Sequence, residues 1–232
     1  MRGADVRAII FDLDDTLYPR DHFVFSGFAA VARHCEQRWG VSALSAFSTL
    51  CGARVAGRAG SEFQALCEDS DVPPDAVGEL LHVFRTHEPD LSLPQSSRSA
   101  LEGLRRDGWR IGVLTNGTPD VQARKVAALG LPHLVDEVVY ATDCVDGGKP
   151  APGAFRAALA RLDVPASRAV CVGDDLRCDV YGARAAGLAT IRVRRPEGVP
   201  QLADDADAVI ESLGEIPVLA ASLLAGDRAH VA

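Results

Sequence analysis

An α/β fold is the prediction for this chain of 232 residues: a Rossmann-like parallel sheet with helices on both faces, carrying an inserted all-α cap. Two observations carry that expectation. Short, apolar, β-branched runs alternate with helix-like stretches over most of the length, the pattern of βαβ units around a parallel sheet. Between Pro19 and Leu93 the alternation stops, and four helical patterns follow one another.

The strand-like runs are Val6–Phe11, Trp109–Thr115, Glu137–Ala141, Ala169–Gly173, Thr190–Val193 and Ala208–Ile210. Each is short and nearly uniformly apolar, as strands buried on both faces are. Helical spacing marks Ser97–Arg106, Pro119–Leu129, Pro152–Leu162 and Asp179–Ala186. In the interval that breaks the alternation, the helical patterns are His22–Trp39 closed by Gly40, Ser42–Arg58, Ser61–Glu68, and Asp75–Thr86 entered through Pro73-Pro74. A crossover between parallel strands needs one helix, not four. The chain therefore divides into a core of residues 1–18 and 94–232 and a helical cap of residues 19–93.

Composition narrows the function. Twenty-four basic residues against 32 acidic ones leave a net charge of −8. That balance argues against nucleic acid or an anionic membrane as a partner. A phosphorylated small molecule stays admissible, because a local site can oppose the global charge. No apolar stretch reaches the ~20 residues of a membrane span, and the N-terminus lacks the order of a signal peptide. The six dispersed cysteines, without a CxxC pair, read as reduced thiols of a cytoplasmic protein. Only two of the basic residues are lysines, Lys125 and Lys149. A lysine at a motif position is therefore informative.

Chemistry gathers at the carboxyl ends of the strand-like runs, where open α/β sheets bind ligands. Asp12-Leu13-Asp14-Asp15-Thr16 follows the first run, and crowded carboxylates there call for a cation. Thr115-Asn116-Gly117 follows the second, with a hydroxyl and amides suited to phosphate oxygens. Gly148-Lys149-Pro150 lies after the third, and Gly173-Asp174-Asp175 with Asp179 after the fourth. Carboxylates serve as nucleophile and hard-metal ligands, while hydroxyl, amide and lysine stabilise a transferring phosphoryl group.

Together, Asp12-x-Asp14-x-Thr16, Thr115, Lys149 in GKPAPGAF, and Gly173-Asp174-x4-Asp179 resemble the four motifs of the haloacid dehalogenase-like hydrolase superfamily, mostly phosphatases. The helical cap after the first motif is similar to that of its subfamily I. The resemblance implies a Mg²⁺-dependent phosphatase acting on a small phosphomonoester: a sugar phosphate, a phosphoglycolate-like acid or a nucleoside monophosphate. Asp12 would be the nucleophile, forming an aspartyl-phosphate, and Asp14 the acid and then the base. Asp14 must accordingly stay protonated while Asp12 is ionised. Mg²⁺ would be held by Asp12, the main-chain carbonyl of Asp14, Asp174 and Asp179. Thr115 and the Asn116 amide would bind phosphate, and Lys149 would neutralise nucleophile and phosphoryl group. Cys178 stands where many relatives carry Asn.

Alternatives are a phosphotransferase or sugar phosphomutase, a 2-haloacid dehalogenase, and a non-catalytic phospho-Asp switch. Asp14 disfavours the dehalogenase, since a departing halide needs no proton. Arg20, Arg33, Arg54 and Arg58 are candidate grips for an acidic substrate group, and His22 for a proton relay. Asp143 and Asp146, and the tract Asp204-Asp205-Asp207, read as loop acids. A monomer or a homodimer is equally compatible with the sequence.

Overall fold

The computed structural model describes residues 6–144, 147–194 and 205–226. Asp146 and Asp204 lie outside them. The chain divides into two compact units, one of Met1–Pro19 with Ser92–Ala232 and one of Arg20–Leu91.

The first unit is built on a six-stranded parallel sheet of order β3-β2-β1-β4-β5-β6. Its strands are β1 (Ala8–Phe11), β2 (Arg110–Thr115), β3 (Glu137–Tyr140), β4 (Ala169–Gly173), β5 (Ala189–Val193) and β6 (Ala208–Ile210). Each expected run supplies one strand. β1 is central and wholly buried, with β2 and β4 as neighbours. The strand order reverses between β1 and β4, and there sheets of this kind open a ligand crevice.

The second unit holds α1 (Arg20–Trp39), α2 (Ala43–Val55), α3 (Glu62–Asp69) and α4 (Val77–Thr86). Phe28, Val31, Leu50, Leu66 and Leu80 form its core, with Phe28, Phe63 and Phe84 meeting edge to face or tilted. Phe23 is buried here too, whereas Phe25 is partly exposed. Two of the candidate arginines are engaged within the unit: Arg54 pairs with Asp21 and Glu62, and Arg58 with Glu68 at 2.9 Å.

Around the sheet lie α5 (Gln95–Arg106), α6 (Pro119–Ala128), α7 (Pro152–Leu162), the short α8 (Gly182–Ala185) and α9 (Ile216–Ala225). Side-chain alternation sends Ala8, Ile10 and Cys171 to one face, against Phe155, Leu159, Leu162 and Ala183 of α7 and α8. Ile9 and Phe11 point to the other face, where α5 and α9 pack together. One element is additional and one departs from expectation. The apolar segment Ile216–Ala225, to which the sequence reading assigns no element, is helical. The helix expected from Asp179 begins earlier, as a π-helical turn over Leu176–Tyr181. Among the described residues no helix is long and apolar enough to cross a membrane.

Phe155 is fully buried in the α7 face of the core. Phe155→Ala should lower unfolding free energy by about 3–5 kcal/mol, read as a reduced urea midpoint with an unchanged slope.

Candidate active site

Phe11 pairs with Val113 and Val172, so Asp12 is the first residue beyond the central strand. Its N–H still donates to the Val172 carbonyl at 2.9 Å, which holds its carboxylate at the strand tip. Lys149 reaches that carboxylate from the loop before α7. Its Nζ lies 2.5 Å from Asp12 Oδ1 and 2.6 Å from Asp179 Oδ1, and all three side chains are buried.

Two devices deliver these groups. Asn116, at the tip of β2, staples the lysine backbone. The Lys149 N–H donates to Asn116 Oδ1 at 2.8 Å, and Asn116 Nδ2 donates to the Lys149 carbonyl at 2.9 Å. Gly148 makes the staple possible, since a Cβ there would stand 2.6 Å from Asn116 Oδ1. Asp179 is carried by the π-helical turn, in which the Asp175 carbonyl accepts from both Asp179 and Val180. Asp179 Oδ2 also accepts from the Asp175 N–H at 3.1 Å. π-Turns of this sort occur often at functional sites. A Cβ on Gly173 would run into the Asp179 carboxyl, so the end of β4 needs glycine.

Asp174 completes the cluster, its Oδ1 accepting from Thr16 Oγ1 at 3.3 Å. Carboxylate oxygens of Asp12, Asp174 and Asp179 lie within 4.8 Å of one another. Burial pushes Asp12 up to about 7, with Lys149 opposing that rise and Asp179 and Asp174 adding to it. Burial, then Asp179 and Asp15, push Asp174 up to about 6. Burial also works against the charge on Lys149, but Asp12 and Asp179 outweigh it and hold the ammonium well above its usual range. An all-oxygen donor set short of positive charge fits a hard divalent cation.

Asp14 faces a different environment. The chain turns sharply through Asp15, whose φ is 60°, and brings Tyr18 back beside Asp14. Tyr18 Oη donates to Asp14 Oδ1 at 2.7 Å. Gln122 Nε2 donates to Asp14 Oδ2 at 3.0 Å, and Lys125 Nζ lies 2.8 Å from both oxygens. Burial alone would raise Asp14; the Lys125 charge and these hydrogen bonds overcome it and hold the carboxyl below its ordinary range. Burial, with Asp179 and Asp174 adding to it against Lys149, raises Asp12, whereas Lys125 and the hydrogen bonds from Tyr18 and Gln122 lower Asp14. These directions, set by the protein's own groups, are opposite to the division expected of the two acids during turnover.

The structure thus brings Asp12, Lys149, Asp174 and Asp179 into one cluster. Asp14 sits two residues away in a second, and only its main-chain carbonyl is left for the metal role expected of it. Buried Thr115 joins the second cluster, since Gln122 Nε2 donates to its Oγ1 at 2.5 Å. The Asn116 side chain is committed to the Lys149 backbone. Cys178 contributes its backbone, its N–H donating to Asp175 Oδ1 at 2.6 Å. His22 and Asp143 are exposed. Sequence reasoning missed Lys125, Gln122 and Tyr18. The scarcity of lysine that marked Lys149 applied equally to Lys125.

A family model described as haloacid dehalogenase-like hydrolase matches residues 6–187. The chain belongs to this family. The chain is similar to the ribulose-1,5-bisphosphate 5-phosphatase of Halopiger xanaduensis, 33% identical over 90% of this chain and 97% of that one. The phosphoserine phosphatase of Thermus thermophilus is 33% identical over 70% of this chain and 65% of its own length. A solved 2-haloacid dehalogenase from Pseudomonas syringae is 29% identical, with a TM-score of 0.64 over 94% of this chain and 100% of that one.

The raised carboxyls set a pH dependence. Asp12 and Asp174 keep a proton up to about 7 and about 6 in the folded protein but lose it from about 4 in the unfolded chain, so each removes stability as pH rises through that window. Asp14, held low, contributes stability that is lost only on acidification. In chelator, the urea midpoint should therefore fall between about pH 4 and about pH 7, and an added divalent cation should flatten the fall.

Proposed function

We propose that this hydrolase is a Mg²⁺-dependent phosphatase that cleaves a small phosphomonoester through an aspartyl-phosphate on Asp12. One observation carries the reading. Two carboxylates two residues apart are held separately, Asp12 by Lys149 amid further acids and Asp14 by Lys125 beside Thr115. Distinct environments let one carboxyl bond to phosphorus and the other carry a proton, once bound charge favours the ionised Asp12 and the protonated Asp14.

Asp12 attacks phosphorus as the bond to the leaving oxygen breaks. Asp14 gives that oxygen its proton. The ester brings its own negative charge close to Asp14, which favours the protonated carboxyl needed for this step. Asp14, now a carboxylate, takes a proton from the water that attacks phosphorus, and the bond to Asp12 breaks to release phosphate. Lys149 balances charge on nucleophile and phosphoryl group throughout, while Thr115 Oγ1 and the Asn116 N–H receive phosphate oxygens. Mg²⁺ would be held by Asp12, the Asp14 carbonyl, Asp174 and Asp179, and when bound it neutralises phosphate charge and favours the ionised nucleophile.

Residues 20–91 act as the cap that selects the leaving group and excludes bulk water. The relatives' names support phosphorylated small molecules as substrates, with a sugar phosphate, a phosphoglycolate-like acid or a nucleoside monophosphate in range. The dispersed free thiols support the cytoplasm as its compartment. The likeness to a 2-haloacid dehalogenase makes carbon–halogen cleavage the second reading. Asp14 stands against it, because a halide leaves without a proton.

With generic phosphate esters and Mg²⁺, the wild-type protein should release free phosphate, and chelator should abolish release. Asp12→Asn should lower turnover by more than about 1,000-fold with folding intact, as loss of a covalent nucleophile does. Wild-type turnover in that variant would remove the mechanism. An isomerised phosphate ester in place of free phosphate would identify a phosphomutase.

A further inference from the structure

We infer that Lys125 is a positioning residue, one that fixes the orientation of the Asp14 carboxyl and, with Gln122, ties it to phosphate-binding Thr115. The inference rests on the role proposed above for Asp14. It concerns a residue outside the four sequence motifs, on a helix that carries none of them.

The placement is specific. Gln122 and Lys125 are three apart on α6 and therefore share one helix face. Both are buried, at 2% and 4% exposure, although a glutamine and a lysine are ordinarily solvated. Their polar ends converge on one carboxyl group. Lys125 Nζ touches both Asp14 oxygens at 2.8 Å, and the Gln122 amide spans Asp14 Oδ2 and Thr115 Oγ1. Tyr18 Oη closes the third side at 2.7 Å. Stability is a weak explanation for such an arrangement, since buried ion pairs exchange for apolar residues with little loss or even a gain. Orientation is the better one. A carboxyl gripped at both oxygens, and linked to the group that seats the phosphate, keeps a constant distance to the ester oxygen it must protonate.

The proton accounting is simple. As the bond from phosphorus to the leaving oxygen breaks, the Asp14 proton passes to that oxygen, and the resulting carboxylate stays on Lys125. As water bonds to phosphorus and the Asp12 link breaks, the water's proton passes to Asp14. Lys125 keeps its three protons in both halves.

Leaving-group dependence separates this role from a structural one. The parameter is kcat/KM, which covers steps through transfer to Asp12, measured with an alkyl phosphate and with p-nitrophenyl phosphate. The alkyl oxygen needs a proton to depart and nitrophenolate does not. Lys125→Met should lose about 10- to 100-fold on the alkyl ester and less than about threefold on the aryl ester, the scale of a misplaced catalytic group. Lys125→Arg, which retains a cation able to grip both oxygens, should recover most of the loss. Lys125→Gln is read in the same way should the Met variant fail to fold. Asp14→Asn should show the same split, more deeply. Equal losses on both esters in a folded Lys125 variant, no loss at all, or an Arg variant as impaired as Met would overturn the inference. An Asp14→Asn variant without the split would overturn the role of Asp14 and this inference together. A split in Asp14→Asn alone would overturn only the inference.

Discussion

The buried bridge from Lys149 to Asp12 and Asp179 is the interaction on which the rest of the site depends. Three carboxylates converge where β1 and β4 end, and burial makes their joint ionisation costly. Lys149 is the cation that lets them share that space, at 2.5 and 2.6 Å. Much of the local architecture exists to deliver it. The Asn116 staple, the bare backbone of Gly148 and the Asp175-anchored turn that carries Asp179 all fix one end or the other of the bridge.

A second lysine organises the other carboxylate. Lys125 and Lys149 approach from different elements, α6 and the loop before α7, and each meets one acid of the Asp12-Leu13-Asp14 segment. The backbone separates the two by sending one side chain into the strand-end cluster and turning the chain through Asp15 toward α6. Environment then does the rest: Asp12 shares its cation with other acids, whereas Asp14 has Lys125, Tyr18 and Gln122 around it. Burial and the neighbouring acids raise Asp12, whereas its partners lower Asp14. On the proposed function, a metal among Asp12, Asp174 and Asp179 and an anionic ester near Asp14 would act in the opposite direction.

Much of this was legible in the sequence, for reasons that particular residues make plain. The strands were readable because parallel strands buried on both faces are continuously apolar, as VCVG before Asp174 and AIIF before Asp12 are. The cluster of Asp12, Lys149, Asp174 and Asp179 was readable because each follows such a run, and strand ends meet in a parallel sheet. Helix α9 was not, because a segment apolar at every position but Pro217 and Ser222 shows no clear period. The turn carrying Asp179 was missed because its winding depends on one carbonyl, that of Asp175, accepting twice. The contact of Lys125 with Asp14 joins residues 111 apart in sequence and belongs to no strand tip. The contact of the Asn116 side chain with the Lys149 backbone joins residues 33 apart and could not be read from the sequence.

The central claim is that a phosphoryl group passes covalently through Asp12. Its most direct test is to mix enzyme, Mg²⁺ and excess phosphate ester, quench rapidly with borohydride, and sequence the peptides by mass spectrometry. Borohydride reduces an acyl phosphate to an alcohol, so Asp12 should appear as homoserine only when substrate is present. Turnover with an unreduced Asp12 and another residue reduced, or with no residue reduced at a quench time when product has already formed in a burst, would contradict the account.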